Sequence, residues 1–327
     1  MTLAVAQEPE YLLFNAILRL LHRDLFREYA QRVSKNPNIC VPKCIHEKYL
    51  WRKIFDHDPQ FTVFCDKLAS KDYVASRTPD IPFAKVLWSG SDVRQAPAEL
   101  LAGPGFLKSN HGSGFYFRLG DGPVDLDRLH AISRGWLRGQ HHTKPAKWKY
   151  RGQWGYKNVK RTLFIEEDLA IESDGPLVDF AVYVFGDKIT DFSVMLDHKT
   201  KHIKYARFFA SGRRSDFEIT TAKFSPLPRD YKLPVSPKVI GDTAKRIAVG
   251  PDHLRIDLIW NGRQLYFGEI TVYSHAGFLR NPNQALLDEM AESWDLRRSW
   301  FLTKPQKGWR GLYANWLKQK LDAAAGQ

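Results

Sequence analysis

Hydrophobic and polar residues alternate along two neighbouring segments in the second half of the chain. Residues 255–260 (Arg-Ile-Asp-Leu-Ile-Trp) follow the period of two that is typical of a half-buried strand, and residues 264–271 form a second such segment. Asn261-Gly262 lies between them and supplies the positive φ that a tight turn needs. The pattern predicts a β-hairpin with Asp257 on its first strand and Glu269 on its second.

Helical spacing of apolar residues and shorter apolar runs predict the other elements. The predicted helices span residues 10–33, 46–56, 61–76, 242–249, 283–294 and 309–323. The predicted strands span residues 81–89, 105–108, 115–119, 163–167, 179–185 and 188–195. Helices and strands are mixed without strict alternation, which favours the α+β class.

The length of the hairpin loop decides whether Asp257 and Glu269 share a face. A two-residue turn would place them on opposite faces, because side chains alternate along a strand. A three-residue loop, residues 261–263, would pair Trp260 with Gln264 and make the two carboxylates diagonal neighbours on one face. Converging carboxylates suit Mg²⁺ shared with nucleotide phosphates, and solvated charges on an exposed face are the equal alternative. A metal site therefore requires a loop of odd length.

The chain has 327 residues, 43% hydrophobic and 13% aromatic, which allows a large core and argues against disorder. Its formal net charge of +13 favours an acidic partner, such as a nucleic acid, an anionic membrane or an acidic polysaccharide. Cys40, Cys44 and Cys65 form no even set, so we expect free thiols and a cytoplasmic protein. A zinc site at Cys40, Cys44 and His46 lacks a standard spacing and is disfavoured.

The apolar stretch at residues 11–21 is too short to span a bilayer and contains Arg19, so no transmembrane segment is predicted. Leu13, Ile17 and Leu20 fall at helical spacing, which indicates an amphipathic helix. Most such helices dock on the core of their own protein. Peripheral contact with a membrane stays open, because basic residues surround this helix.

Residues 128–161 carry many lysines and arginines and no acidic residue. Trp136, Trp148, Trp154 and Tyr156 are interleaved with those charges. Such a mixture suits single-stranded nucleic acid, and it also suits an acidic glycan, since aromatic rings stack on sugar faces. Packing within the protein is the structural alternative, so the role of residues 134–161 stays open.

Lys108 ends a predicted strand and is followed by the glycine-rich loop at residues 109–114. Glycines let backbone N–H groups wrap around phosphate oxygens, and a lysine adds a mobile positive charge. The segment lacks the Gly-x-x-x-x-Gly-Lys-Ser/Thr pattern of a P-loop, and its predicted context is a hairpin rather than a strand that leads into a helix. Alone, the loop is weak evidence for phosphate binding.

The order of these features is more specific than any one of them. Lys67 on a helix precedes Lys108 and its loop, and acidic residues at strand ends precede the late hairpin. In this order the chain resembles the ATP-grasp fold, and more closely the TupA-like ATP-grasp family of teichuronopeptide and other cell-surface polysaccharide biosynthesis. The resemblance covers roughly residues 40–280 and rests on residues 66–67, 107–114, 153–158, 165–169, 179–186, 255–257 and 268–271.

The resemblance implies two α/β subdomains that clasp a nucleotide, with helical extensions at both ends. The expected division is an N-terminal helical segment, an N-terminal α/β part, a subdomain A with a glycine-rich lid, a subdomain B with the metal site, and C-terminal helices. These parts correspond to residues 1–60, 61–105, 106–175, 176–290 and 291–327.

The resemblance also implies roles for individual residues. Lys67 and Lys108 would contact the α- and β-phosphates, Glu166 the adenine amino group, and Arg255 the acceptor or the reacting carboxylate. The implied nucleotide-binding set is Lys67, Lys108, Asn110, His111, Gly112, Ser113, Gly114, Glu166, Asp168, Leu169 and Asp179. The implied metal set is Asp257, Glu269 and Thr271, and the implied catalytic pair is Arg255 and Lys108. Thr271 stands where many ATP-grasp enzymes have asparagine.

The implied function is that of a carboxylate–amine ligase, with ATP and Mg²⁺ as cofactors and an acylphosphate intermediate. A uronic acid-type carboxylate or an amino acid is the expected donor, an amine is the second substrate, and an acidic glycan or nucleotide sugar is a further candidate. A kinase that stops at phosphorylation and a basic nucleic-acid-binding protein are the alternatives. Because a nucleic-acid-binding function would leave the acidic hairpin unexplained, we expect no nucleic-acid partner. The sequence does not determine the oligomeric state.

Overall fold

The structure, a computed structural model, describes residues 8–33, 36–140, 152–196, 202–216, 218, 220–279 and 283–326. Its helices are α1 (Pro9–Leu21), α2 (Arg23–Val33), α3 (Ile45–Ile54), α4 (Gln60–Phe64), α5 (Lys67–Arg77), α6 (Ala98–Ala102), α7 (Leu126–Leu137), α8 (Pro237–Ile247), α9 (Gln284–Ser293), α10 (Trp300–Thr303) and α11 (Trp309–Ala325). Its strands are β1 (Val86–Gly90), β2 (Gly105–Ser109), β3 (Tyr116–Leu119), β4 (Leu163–Glu166), β5 (Val178–Phe185), β6 (Lys188–Leu196), β7 (Ile203–Phe209), β8 (Phe224–Pro226), β9 (Leu254–Trp260) and β10 (Leu265–Thr271).

The strands form two sheets. The smaller sheet has the order β1-β4-β2-β3, and the larger has the order β10-β9-β5-β6-β7-β8. The pairs are antiparallel except for β7 and β8, which run parallel. The α+β prediction is therefore confirmed, and so are the hairpin predicted at β2–β3 and the two strands predicted at residues 179–185 and 188–195, which pair as β5 and β6.

Two predicted helices are each two helices in the structure. The helix predicted at residues 10–33 is interrupted at His22, between α1 and α2. The helix predicted at residues 61–76 is interrupted before Asp66, whose carboxylate accepts from the N–H groups of Leu68 (2.9 Å) and Ala69 (3.3 Å). An aspartate that satisfies free N–H groups at a helix start is a strong N-cap, so α5 begins anew at Lys67.

One face of the larger sheet is apolar, and the other carries the charged residues of β9 and β10 beside a buried apolar region that includes Tyr183. We call this second face the polar face. Phe180 and Val182 of β5 and Ile256 and Leu258 of β9 are buried in one core with Ile240 of α8. The opposite face carries the alternate residues of the same strands. A separate core lies under the smaller sheet, where α7 packs against β2. The polar face of the larger sheet is therefore the one available for chemistry.

The N-terminal and C-terminal helices share a third core. Phe14 of α1 packs against Tyr313 and Trp316 of α11, and Phe55 stacks on Tyr313 with ring centroids 4.4 Å apart. Tyr183 of β5 belongs to the same core. No helix in the described ranges is both long and apolar enough to cross a membrane.

Candidate active site

Asp257 and Glu269 lie directly opposite one another on β9 and β10. The loop between these strands has four residues, because Trp260 pairs with Leu265, so the inference that the two carboxylates can share a face only across a loop of odd length is wrong. The register shifts between Phe267 and Glu269, which marks a β-bulge there. The bulge adds one residue, Gly268, to β10. Because of this extra residue, the side chains of Asp257 and Glu269 point to the same face even though the loop has an even number of residues. The two carboxylates thus share a face by a different route, as direct rather than diagonal neighbours.

Arg255 holds the carboxylate of Asp257 in place. Its Nε and a terminal nitrogen donate to the two oxygens of Asp257 at 2.7 and 2.6 Å, and its other terminal nitrogen donates to Ser274 Oγ at 3.2 Å. Burial lowers the pKa of Arg255, but the carboxylates of Asp257 and Glu269 outweigh burial and raise it. The guanidinium therefore stays charged and gives this acidic pair a fixed counter-charge.

The acidic pair has the donors that Mg²⁺ requires. Both carboxylates are partly exposed on the polar face of the larger sheet, and Thr271 follows Glu269 on the same face. Within the described part of the chain, Thr271 Oγ1 is buried and has no hydrogen-bond partner. No group of three or more His, Cys, Asp or Glu residues among the described residues could hold a metal alone. Two carboxylates completed by substrate phosphates fit Mg²⁺ well.

A second charged cluster lies on the smaller sheet. Lys108 of β2 donates to Glu166 of β4, and Lys71 of α5 lies 3.3 Å from the other oxygen of Glu166. Lys71 Nζ also donates to the carbonyl of Ala84 at 2.8 Å. Burial and the charge of Lys108 lower the pKa of Lys71 and outweigh the opposing effect of Glu166. Sequence reasoning missed Lys71; its position four residues after Lys67, on the same side of a helix, was the available signal.

These residues line a cavity of about 50 Å³ between the two sheets. Phe106, Lys108 and Glu166 contribute from the smaller sheet, and Ile259 and Phe267 contribute from the larger sheet. The rest of its wall is Lys71, Ala84, Glu167, Asp168, Leu169, Leu177 and Gly268. Apolar side chains on two sides and lysines at one edge can accommodate a flat ring with an attached anion.

Lys67 connects the glycine-rich loop to the acidic pair. Its Nζ donates to the carbonyl of Gly112 at 2.7 Å and lies 3.5 Å from Glu269 Oε1. Gly112 and Gly114 have φ values of 73° and 78°, and a Cβ at Gly112 would lie 2.7 Å from the ring of Phe115. Glycine is therefore required for this turn. Lys67 therefore links the loop to the edge of the larger sheet that carries the metal candidates.

The base of the glycine-rich loop is buried and its tip is exposed. Asn110 Oδ1 accepts from the N–H of Thr162 at 2.9 Å, and His111 Nδ1 is 2.7 Å from Ser109 Oγ. Burial, with the charges of nearby basic residues, lowers the pKa of His111 to about 3, so the imidazole is neutral. Ser113 is exposed. Asn110 and His111 thus shape the loop, and its tip faces solvent.

The remaining predicted nucleotide residues lie around this cleft. Asp168 accepts from Arg118 at 3.1 Å and from the N–H of Ala170 at 3.0 Å, and Leu169 lines the cavity. Asp179 lies on the polar face of β5, two residues before Ala181, which pairs with Asp257. The fold therefore brings all of these predicted residues to one region.

The chain matches the TupA-like ATP-grasp family profile over residues 47–291. The chain belongs to the TupA-like ATP-grasp family. Membership places it among the ATP-grasp proteins, whose cofactors are ATP and Mg²⁺. The resemblance noted from the sequence is confirmed. No curated protein shows significant similarity to the chain.

Solved ATP-grasp structures are distantly similar to this family member. The ligase PsnB with its minimal precursor is 12% identical with a TM-score of 0.38, covering 73% of this chain and 62% of PsnB. D-alanine–D-alanine ligase from Bacillus anthracis is 14% identical with a TM-score of 0.38, covering 71% of this chain and 66% of the ligase. N5-carboxyaminoimidazole ribonucleotide synthetase is 14% identical with a TM-score of 0.36, and the match covers 64% of this chain and 44% of the synthetase. The chain spans less than two thirds of the length of each of these proteins.

Two further expectations concern the basic aromatic segment and the cysteines of this ATP-grasp protein. Residues 141–151 of the basic aromatic segment, with Trp148, lie outside the described residues. His46 Nε2 is 2.9 Å from the carbonyl of Leu279 and Cys44 Sγ is 3.8 Å from Tyr29, so these side chains have partners other than zinc.

Proposed function

We propose that this protein is an ATP-dependent carboxylate–amine ligase. The observation that carries the proposal is the pairing of Asp257 with Glu269 on the larger sheet, next to a cavity that Phe267 and Gly268 of β10 line together with Lys71 of α5 and Lys108 of the smaller sheet. Acids that share Mg²⁺ with phosphates and lysines that neutralise those phosphates are what phosphoryl transfer requires. The family assignment supports the same chemistry.

The proposed reaction has two steps. A substrate carboxylate oxygen attacks the γ-phosphorus of ATP, the bond to the β–γ bridging oxygen breaks, and ADP leaves an acylphosphate on the substrate. The nitrogen of an amine then attacks the acyl carbon, phosphate leaves, and the amine loses a proton as the amide forms. Bound Mg²⁺ would neutralise phosphate charge in the first step, held by Asp257 and Glu269, with Thr271 beside them.

The side chains of this protein position and neutralise the substrates in this scheme. Lys71 and Lys108 exchange their contacts with Glu166 for phosphate oxygens, which frees Glu166 to accept from the adenine amino group. Lys67 joins the glycine-rich loop to Glu269 and orders the loop over the phosphates. Arg255 fixes Asp257 and offers positive charge beside the reacting carboxylate. The cavity of about 50 Å³ is smaller than a nucleotide, and in this proposal it widens when ATP enters.

The proposed carboxylate donor is a uronic acid-type sugar or an amino acid, in polysaccharide or secondary metabolite biosynthesis. The net charge of +13 supports an acidic substrate, because a positive surface concentrates anions. Residues 152–161 of the basic aromatic segment lie near the site, since Tyr156 is buried against Tyr273 after β10. We propose a reducing cytoplasm as the compartment, where free cysteines persist and ATP is available.

The test is ADP release over a panel of uronic acids, nucleotide sugars and amino acids, each with and without an amine. Mass spectrometry of the products distinguishes an amide from a phosphorylated acceptor. Glu269→Gln should reduce ADP release by about a hundredfold or more, because charge stabilisation of that size is lost. Glu99→Gln, an exposed glutamate on α6, is the matched control. Release of ADP with phosphorylation and no amide would identify a kinase, and salt-sensitive nucleic-acid binding without ATP binding would reject both enzymes.

A further inference from the structure

Helix α1 is apolar on nearly all sides but is buried on only one. Nine of its 13 residues are apolar, and only Phe14 and Leu18 are buried. A helix that is hydrophobic all round is normally enclosed by protein or lipid. About half of the apolar surface of this helix is therefore exposed, although its sequence is typical of a helix that protein or lipid encloses.

The exposed side of α1 is a continuous leucine face. Leu12, Leu13, Leu20 and Leu21 are 55%, 58%, 61% and 57% exposed. At 100° per residue, Leu13 and Leu20 project from the same side of the helix, with Ala16 and Ile17 between them. We call Leu12, Leu13, Leu20 and Leu21 the leucine face. Its centre, at Leu13 and Leu20, lies about 100–120° around the helix from Phe14, which anchors α1 to Tyr313 and Trp316 of α11.

The neighbouring C-terminal segment adds another exposed leucine and a dense positive charge. Leu312 of α11 is 68% exposed, the highest value among the large hydrophobic residues of the described chain. Residues 304–320 contain five basic residues and no acidic one, and Lys304, Lys307 and Lys318 are exposed. Residues 8–33 are neutral, with four arginines and four acids. The positive charge beside the leucine face therefore comes from residues 304–320.

We propose that the leucine face inserts into the interface of an anionic lipid bilayer, with residues 304–320 contacting the headgroups. An apolar helix face flanked by lysines binds such surfaces through apolar burial plus attraction to anionic lipids. The helix has 13 residues, about 20 Å, which suits lying in the interface. A second copy of this chain is the less favoured occupant, because two molecules of charge +13 repel each other. The inference is independent of the proposed ligase activity.

The experiment uses the full-length protein with two kinds of large unilamellar vesicle, pure phosphatidylcholine and an equal mixture with phosphatidylglycerol. Co-sedimentation should show binding to the anionic vesicles that weakens as salt is raised. Leu13→Ser/Leu20→Ser should reduce the partition coefficient at least about tenfold, because two leucines no longer leave water. Val239→Ser/Val249→Ser changes two valines with 49% and 54% exposure elsewhere and should bind like the unchanged protein.

Each outcome decides the proposal. All four leucine-face residues are exposed, so the thermal unfolding midpoint of the serine variant should match that of the unchanged protein. Equal vesicle binding by the leucine and valine variants, or no binding by the unchanged protein, would overturn the inference. Analytical ultracentrifugation tests whether a second copy of this chain binds the leucine face. If the unchanged protein and the valine variant are dimers and the leucine variant is a monomer, the face is a dimer interface and the lipid assignment is rejected.

Discussion

Gly268 sets the distance between Asp257 and Glu269, because it lies in the bulge that places the two carboxylates side by side. A Cβ at this glycine would lie 3.0 Å from the carbonyl oxygen of Asp257, which is backbone and cannot swing away. The geometry of the acidic pair therefore depends on a residue without a side chain.

Gly268→Ala should weaken Mg²⁺ binding about tenfold or more, in the range expected when the support of a metal ligand is removed. The added methyl group would push β10 from β9 and displace Glu269 from Asp257. The measurement is the Mg²⁺ concentration for half-maximal ADP release. Gly122→Ala, where a Cβ would meet no neighbour within 4 Å but φ is 140°, controls for a general cost of glycine replacement. Unchanged Mg²⁺ dependence in Gly268→Ala would contradict this account.

Lys71→Met should weaken nucleotide binding more than Lys67→Met. Lys71 lines the cavity beside Lys108 and Glu166, whereas Lys67 is not among its lining residues and donates to the carbonyl of Gly112. Loss of a charged hydrogen bond to phosphate predicts about a tenfold rise in Kd. Titration calorimetry with a non-hydrolysable ATP analogue measures it, and thermal unfolding checks that both variants remain folded. A larger loss of nucleotide affinity in Lys67→Met than in Lys71→Met would support the assignment made from the sequence, in which Lys67 contacts the phosphates.

Arg255→Lys should reduce turnover about tenfold to a hundredfold while the protein stays folded. A lysine cannot donate to both oxygens of Asp257 and to Ser274 at once, so Asp257 would lose its orientation. Arg246→Lys is a matched control, because Arg246 makes a similar two-oxygen pair with Asp80 on the surface. Equal turnover in the two variants would show that the Arg255 geometry has no catalytic importance.

His111 should make the free energy of unfolding depend on pH in acid. Its pKa is lowered to about 3 in the folded protein and is about 6.5 in the unfolded chain. Between these values the unfolded state binds more protons, so stability rises with pH and is lost as pH falls below about 6.5. Urea unfolding at several pH values should give a shallower slope for His111→Asn than for the unchanged protein. Parallel slopes would mean that His111 titrates normally.

The sequence predicted the strands of the site and their order better than the contacts between them. Alternation was sufficient for the hairpin of β9 and β10, but the bulge at Gly268 depends on a cross-strand backbone approach that periodicity does not encode. An isolated glycine within a strand pattern was the only sign of it. The sequence did not reveal Lys71, because this lysine is buried where it contacts Glu166, and Glu166 is distant in sequence. Strand β7 was missed because Arg207, a charged residue in its middle, is buried against Asp191 of β6.

The packing of α11 against α1 and α3 has a practical consequence for recombinant work. Residues 47–291, which carry the family signature, include Trp51 and Phe55 but not Tyr313, whose hydroxyl accepts from Trp51 and whose ring covers Phe55. A truncated fragment with those boundaries would bare a large aromatic surface to water and should aggregate. Expression and crystallisation trials should therefore retain both ends of the polypeptide.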